Sequence, residues 1–394
     1  MILDKTFPPD PRVENEATSL AENGFEVFLY CLMYRNQNQE YDETLKGFHL
    51  RRYLSNKITY KLSALAYTFS FYNNIQAKNI SHFLQHNNID VIHVHDMRIA
   101  GAVFKANKDF NLPIVLDLHD NMPEIMKFYP HTQKFPGKYL ISPKKWKKKE
   151  EEFIQHADKI ITVSNEFKQE IISRTKISEN KIKVVPNTVN QSFYKDFVEN
   201  ENLVSRYKDD FVILYVGDTG IRRGLLTAIE AIPKIKEAIS NVKLVIVGSS
   251  SADEILKQKV KDLDVDQYVD FQGWQDVSLF PSYILASSIG ISPLYKNIQH
   301  DVAYPNKIFQ YMSFAKPVLV SNATAQKNIV EKTKSGLVHI EKDVNDFTSK
   351  VLSLYNDKTL RNTFGENGKK FIENEFCWEK ASKSLIELYE NLKN

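Results

Sequence analysis

Two adjacent arginines, Arg222 and Arg223, stand in the run VGDTGIRRGL at residues 216–225. An apolar stretch ends there, a turn punctuated by Gly217, Gly220 and Gly224 follows, and a helical pattern begins. Backbone amides at a helix start, together with two guanidiniums, suit a diphosphate. The same pattern also suits two solvated arginines on a helix cap. A second run, YPNKIFQYMSFAKP at residues 304–317, opens a helix with a proline and places Asn306 and Lys307 in its first turn. The helix dipole disfavours a cation there by a few tenths of a kcal/mol. An anion held between lysine and helix end would offset that, although a simply exposed lysine is the plainer alternative. Gln310 lies one turn later on the same side as Lys307. In LDLHDNMPE, residues 116–124, His119 ends a buried strand, with Asp117, Asp120 and Glu124 around it. Histidine exchanges protons near neutral pH, so His119 is either a cleft residue or a satisfied histidine at a strand end.

Three further features carry charge. His93 and His95 lie two residues apart on a strand and share a face. With Asp96 and His119 they compose an imaginable metal set, but histidines on a core strand are ordinarily packed there, and no metal is expected. In DPRVENEATSLAENG, Arg12 enters a helix just after the first strand, at the carboxyl edge or paired with Glu14 or Glu16. From Lys134 to Lys149 there are seven lysines and no acid, interleaved with Tyr139, Ile141 and Trp146. This resembles an interfacial patch for anionic lipid. It is also what a solvated basic helix start looks like, balanced by the acids at 150–152.

The elements that position these residues are short apolar runs alternating with longer amphipathic stretches. The runs begin with EVFLYCL, DVIHVH, PIVLDLH and KIITVS, and continue with DFVILYV, VKLVIVG, SIGISPL and PVLVS. Their hydrophobicity is continuous rather than alternating, as in parallel strands covered on both faces. The series occurs twice, which points to two doubly wound α/β domains with ligands at the carboxyl ends of the strands. The expected division is residues 1–190, residues 191–376, and a closing helix at 377–394. A first strand has room for only three or four residues before Phe7-Pro8-Pro9, so either it is truncated or the true start lies upstream.

Composition narrows the class. Two cysteines, Cys31 and Cys377, make no disulfide framework, and no basic region followed by an apolar run opens the chain, so a cytosolic setting is expected. A net charge of +3 is too small to argue for nucleic acid. The uncharged stretch 277–295 carries two prolines and five serines and reads as core and loop rather than a membrane span. Glycine is scarce: 13 of 394 residues, of which four serve the first 216 residues and nine the rest. The glycine-only phosphate cradles G-x-G-x-x-G and G-x-x-x-x-G-K-[ST] are absent.

Taken in order along the chain, these segments resemble a glycosyltransferase of the large retaining family four, with the GT-B fold. FPPDPRVENEATSLAENGFEV is similar to the family's first strand, loop and helix. DVIHVHD, PIVLDLHD and ADKIITVS…IKVVPNTV are similar to its later strands. ILYVGDTGIRRGLLTAIEAI, VKLVIVG, VDFQGW and PNKIFQYMSFAKPVLVSN are similar to its donor-binding domain, and FCWEKASKSLIELYENL to its crossover helix. The resemblance implies two Rossmann-like domains facing across a cleft. A nucleotide-diphosphate sugar would be a co-substrate, with no cofactor and no metal. His119 and Arg223 would act catalytically. Arg222, Arg223, Lys307 and Gly220 would hold the diphosphate, and Gln310, Asn306 and Gly273 the nucleotide. Arg12, Asp120 and Glu124 would line the acceptor side. Partners would be a glycan, lipid-linked or protein acceptor, with a peripheral anionic-membrane contact through Lys134–Lys149.

This chain departs from the family pattern in three places. Asp218 stands at a basic position, with Arg222 able to substitute. Val302 and Gln310 replace the two glutamates of the E-x₇-E motif, and Pro8 to Arg12 replace a glycine-rich loop. The missing glutamates keep open a non-catalytic homologue that binds a partner, and a nucleotide-sugar epimerase is a third reading.

Overall fold

The computed structural model describes residues 1–34 and 40–393. It divides into two compact units, Met1–Pro186 with Ala381–Asn394, and Asn187–Lys380.

The first unit is built on an eight-stranded sheet. Its strands are β1 (Ile2–Thr6), β2 (Phe28–Tyr34), β3 (Asp42–Leu45), β4 (Phe48–Ser55), β5 (Ile92–His95), β6 (Ile114–Leu118), β7 (Lys159–Thr162) and β8 (Ile182–Val184). The spatial order is β3-β4-β2-β1-β5-β6-β7-β8, parallel throughout except that β3 runs antiparallel to β4. β5 and β6 are buried along their whole length, so their continuous apolar character reflects cover on both faces. The register pairs His93 with Val115 and His95 with Asp117. The helix Pro11–Glu22 follows β1; Pro11 sits in its first turn and the Asp10 carboxylate accepts from the Val13 amide. That cap and proline fix where the helix starts, and hence where Arg12 and Glu16 point. The helix Trp378–Lys393 brings Leu385, Leu388 and Tyr389 into the core of this unit, Tyr389 lying edge-on to Phe25.

The second unit holds six parallel strands: β9 (Phe211–Val216), β10 (Val242–Val247), β11 (Val269–Gly273), β12 (Ile289–Ser292), β13 (Val318–Ser321) and β14 (Gly336–His339). Their order is β11-β10-β9-β12-β13-β14. Apolar side chains cover both faces of this sheet, Ile213, Leu244 and Ile291 on one and Val212, Val245 and Val320 on the other. The strand order reverses at β9 and β12, the switch point where ligands of open α/β sheets bind. The loop after β9 and the segment after β12 both leave from that point.

Of the strands in this fold, β3, β4, β8, β11 and β14 lie outside the eight apolar runs read from sequence, although β8 and β11 fall within segments quoted for the family resemblance, IKVVPNTV and VDFQGW. β3, the edge strand, exposes Asp42 and Glu43, and Arg51 and Arg52 interrupt the apolar pattern of β4, so their apolar signal is weak.

Candidate functional site

In the first unit, charged groups converge beneath the ends of β5 and β6. Arg12 donates to Asp117 through Nε (3.1 Å) and Nη2 (2.9 Å), and to the Val185 carbonyl through Nη1 (2.9 Å). Its Nη2 also lies 3.0 Å from Glu16 Oε1. Glu16 is 0% exposed. Burial pushes its carboxyl up to about 8, against the opposing pull of Arg12. Burial acts on Asp117 in the same sense, but there Arg12 and His119 together hold the carboxyl well below the usual range. His93 and His95 stack at 4.3 Å between centroids, and burial lowers both. The Tyr389 hydroxyl lies 2.7 Å from His93 Nδ1.

His119 sits over this cluster. Its Nε2 is 2.9 Å from Asp117 Oδ2 and 3.2 Å from His95 Nδ1, and its backbone amide donates to Asp96 Oδ1. Burial alone would lower the imidazole, but Asp117 and Asp96 outweigh it and bring it up to about 9. At neutral pH His119 is therefore an imidazolium. Its Nδ1 stands 3.6 Å from Asp96 Oδ2, an ion-pair distance too long for a hydrogen bond. That leaves an N–H to donate to a ligand oxygen. Asp96 itself has φ +68°, an uncommon conformation for a residue other than glycine and of a kind that clusters at functional sites.

Glu16, His93, His95 and Asp117 bring ligand atoms within 4.8 Å of one another. Glu16 and Asp117, rather than Asp96 and His119, thus gather with the two histidines. The Arg12 guanidinium already lies between the two carboxylates, with Nη2 within 3.0 Å of both, so this cluster carries its own cation.

In the second unit, β9 ends at Val216 and Gly217 follows, its amide donating to the Val247 carbonyl (2.8 Å). Gly217 has φ +123°, and a Cβ there would lie 3.3 Å from Lys307 Nζ. Gly224 has φ +79°, and a Cβ there would collide with the Pro293 carbonyl. The loop 217–224 is thereby pressed against the segment after β12, an approach only glycine permits. Asp218 accepts from the Gly220 amide (3.0 Å) and from Arg223 Nε (3.1 Å). The acid at the unexpected position thus orients Arg223. Burial and then Arg223 push the Lys307 ammonium well below its usual value. It is 9% exposed and lies 3.4 Å from the centre of the Tyr215 ring. Among the described residues no carboxylate forms an ion pair with it. Asp218 pulls the other way without reaching ion-pair distance, so an ammonium buried this deeply is costly unless a ligand brings a closer negative charge.

The comparisons with known proteins agree with this architecture. Residues 12–193 match the family described as Glycosyltransferase Family 4, and residues 198–371 match Glycosyl transferases group 1. The two matches together span most of the chain. It is a family-four-like glycosyltransferase of the GT-B fold. The capsular polysaccharide biosynthesis glycosyltransferase CapM of Staphylococcus aureus is 26% identical over 247 residues, 59% of this chain and 61% of CapM. An uncharacterized glycosyltransferase of Methanocaldococcus jannaschii is 27% identical over 80% of this chain and 78% of its own length. Among solved structures, sucrose-phosphate synthase from Thermosynechococcus elongatus superposes with a TM-score of 0.78 at 18% identity, covering 97% of this chain and 92% of that one. HepE of Anabaena in complex with UDP gives 0.73 at 12% identity, covering 99% of each.

Within this glycosyltransferase, the residues singled out from sequence fall into distinct environments. Arg222, Arg223, Gly220 and Lys307 come together at the β9–β12 switch point, and Lys307 is buried rather than exposed. Asn306 is exposed and Gln310 half-buried on the helix Asn306–Ser313. Gly273 ends β11, and its carbonyl accepts from the Gly248 amide (2.7 Å). Arg12 lies in the ion cluster rather than at an open edge, because Asp117 and Glu16 both claim it. Glu124 is buried and paired with Lys127 and Lys147, while Asp120 is half-buried beside His119. Trp146 does not belong to a surface patch. It is buried, 4.8 Å from the Tyr67 ring, because the helix Pro143–His156 turns that face inward. Tyr389 and His300 carry no signal in the sequence, whereas Glu16 stands there as an alternative partner of Arg12, and the structure bears that pairing out. Glu16 lies four residues after Arg12 in the same helix, a spacing that signals the pair. Tyr389 stands next to the apolar stripe of its own helix.

Proposed function

We propose that this chain transfers a hexosyl group from a nucleoside-diphosphate sugar to a glycan, lipid-linked or protein acceptor, retaining the anomeric configuration, in cell-surface polysaccharide or glycoconjugate synthesis. The observation that carries the reading is the buried Lys307 ammonium, set without a carboxylate partner among the described residues beside the Gly217–Gly224 loop and Arg223. In glycosyl transfer the C1–O bond to phosphate breaks and charge grows on the departing diphosphate. Cations fixed in place lower that barrier without reorganising. Lys307, Arg222 and Arg223 supply those charges from side chains, so the reaction runs without a metal ion. The acceptor oxygen attacks from the face the diphosphate leaves, and its proton passes to the leaving oxygen. His119, as an imidazolium, offers its Nδ1 proton to a sugar oxygen. The capsular polysaccharide role named for CapM and the UDP bound to HepE support the substrate class.

Contact with an anionic membrane from the cytoplasmic side belongs to the same reading. Phe135 and Tyr139 are 85% and 76% exposed and lie edge-on to each other, on a segment carrying Lys134, Lys138, Lys144, Lys145 and Lys148. Among the described residues none of those five lysines has a carboxylate partner. Two exposed rings amid cations suit the headgroup level of an anionic bilayer. No helix among the described residues is long and apolar enough to cross a membrane.

The test is a panel of nucleotide sugars with released nucleoside diphosphate as readout, in EDTA, with Lys307→Met and Arg223→Ala as controls. Release that depends on added acceptor and on both residues is expected. Conversion of the donor without acceptor would make the protein an epimerase. No binding of any nucleotide would make it a non-catalytic homologue.

A further inference from the structure

His300 lies in the short helix Ile298–Val302 after β12 and is 3% exposed. Its position is fixed from three sides. Asn297 caps the helix by accepting from the His300 amide (2.9 Å), and the Asn297 amide nitrogen lies 2.9 Å from His300 Nδ1. Nδ1 itself sits 2.7 Å from the Tyr295 carbonyl. The Tyr295 amide in turn donates to the Arg222 carbonyl (3.0 Å), so the Tyr295 backbone links the imidazole to the loop that carries Arg222 and Arg223.

That arrangement settles the tautomer. The Asn297 amide nitrogen has the Tyr295 carbonyl as its own acceptor (3.1 Å), and that carbonyl, which only accepts, lies closer still to Nδ1, so Nδ1 carries the proton and Nε2 presents a lone pair. Burial, reinforced by Arg223, Arg222 and Lys307, brings the ring down to about 4 even against the Tyr295 hydrogen bond. At neutral pH there is therefore no second proton. Nε2 is buried and has no hydrogen-bond partner. A lone acceptor among three cations cannot serve a phosphate oxygen, which is itself an acceptor. It can serve a hydroxyl.

The neighbours that could have played this part are otherwise engaged. Asp301 Oδ1 accepts from both the amide and the hydroxyl of Thr324, at 2.7 Å each. Val302 is apolar. Resting on the donor-site reading above, we infer that His300 Nε2 accepts a hydrogen bond from a hydroxyl of the sugar carried on the diphosphate. His300 is thus the residue that separates the sugar nucleotide from the bare nucleoside diphosphate.

The test compares calorimetric affinities for UDP against UDP-glucose and GDP against GDP-mannose, in the full chain and in His300→Ala and His300→Gln. His300→Ala is expected to lower sugar-nucleotide affinity by roughly 5- to 30-fold, with diphosphate affinity unchanged. His300→Gln, whose amide oxygen can still accept, is expected to recover much of the difference at an unchanged melting temperature. Equal losses on sugar nucleotide and diphosphate, or no loss on either, make His300 a structural histidine and overturn the inference while the donor site stands. A wild-type chain that binds neither diphosphate overturns the donor site, and this inference with it.

Discussion

Replacing Arg12 by methionine removes the cation from between two buried carboxylates. The guanidinium makes two hydrogen bonds to Asp117, one to the Val185 carbonyl, and an ion pair with Glu16 at 3.0 Å. Methionine keeps most of the volume, so the cost is electrostatic. Removing one partner of a buried pair typically destabilises by about 3–5 kcal/mol, because the remaining charge is stranded. For a unit of about 200 residues that corresponds to a fall in melting temperature of roughly 6–20 °C. The buried Trp146 reports on this unit alone once Trp274 and Trp378 are replaced by phenylalanine, so urea and thermal unfolding followed by its fluorescence give the number. Arg12→Met combined with Asp117→Asn should recover at least half of the loss, since it removes the stranded charge. A single variant that loses less than about 1 kcal/mol would refute the reasoning, given the magnitude expected for a broken buried pair. So would a double variant whose loss is the sum of the two singles. A raised acceptor KM at unchanged stability would return Arg12 to the acceptor side.

Lys307→Met should behave in the opposite sense for stability. It removes an uncompensated buried ammonium, so the melting temperature should rise while UDP affinity falls by at least about tenfold; a lower melting temperature would contradict the assignment. Stability should fall between pH 6.5 and 9. His119 is held above its usual 6.5, up to about 9, so its contribution is complete below 6.5 and is lost as pH rises through 9. Glu16, raised from 4.5 to about 8, adds a loss of the same sign between those values. Unfolding free energies that stay flat from pH 6.5 to 9 would count against both. Neutralising Lys134, Lys138, Lys144, Lys145 and Lys148 to glutamine should abolish salt-sensitive sedimentation with phosphatidylserine vesicles. Trp146→Ala should cost about 3–5 kcal/mol of stability, whereas Phe135→Ser should leave stability unchanged and weaken vesicle binding.

Much of the second unit is readable along the chain because its signals are local. β9 and β10 are unbroken apolar runs, and Gly217, Gly220 and Gly224 punctuate a loop before a helix. Arg222, Arg223 and Lys307 were visible as cations in places where helix geometry makes them unusual. Asp218 looked like a defect until its contact with Arg223 made it the group that orients that arginine. The basic segment from Lys134 to Lys149 was equally visible, but its helical phase sends Trp146 inward and leaves Phe135 and Tyr139 outside.

Residue order and periodicity alone determined that this chain makes two largely parallel sheets with glycine-punctuated loops at the ends of their strands, because burial on both faces and turn residues leave marks within a few positions. The protonation states of the site were decided only in three dimensions. His119 is a cation because Asp117 and Asp96, two and twenty-three positions away, close on it. The Glu16 carboxyl is raised, against the pull of Arg12, because the fold removes water from around it. His300 presents a lone pair because a carbonyl five residues back takes its only proton. A side chain's charge depends on the field and the solvent around it, and neither exists until distant segments have packed together.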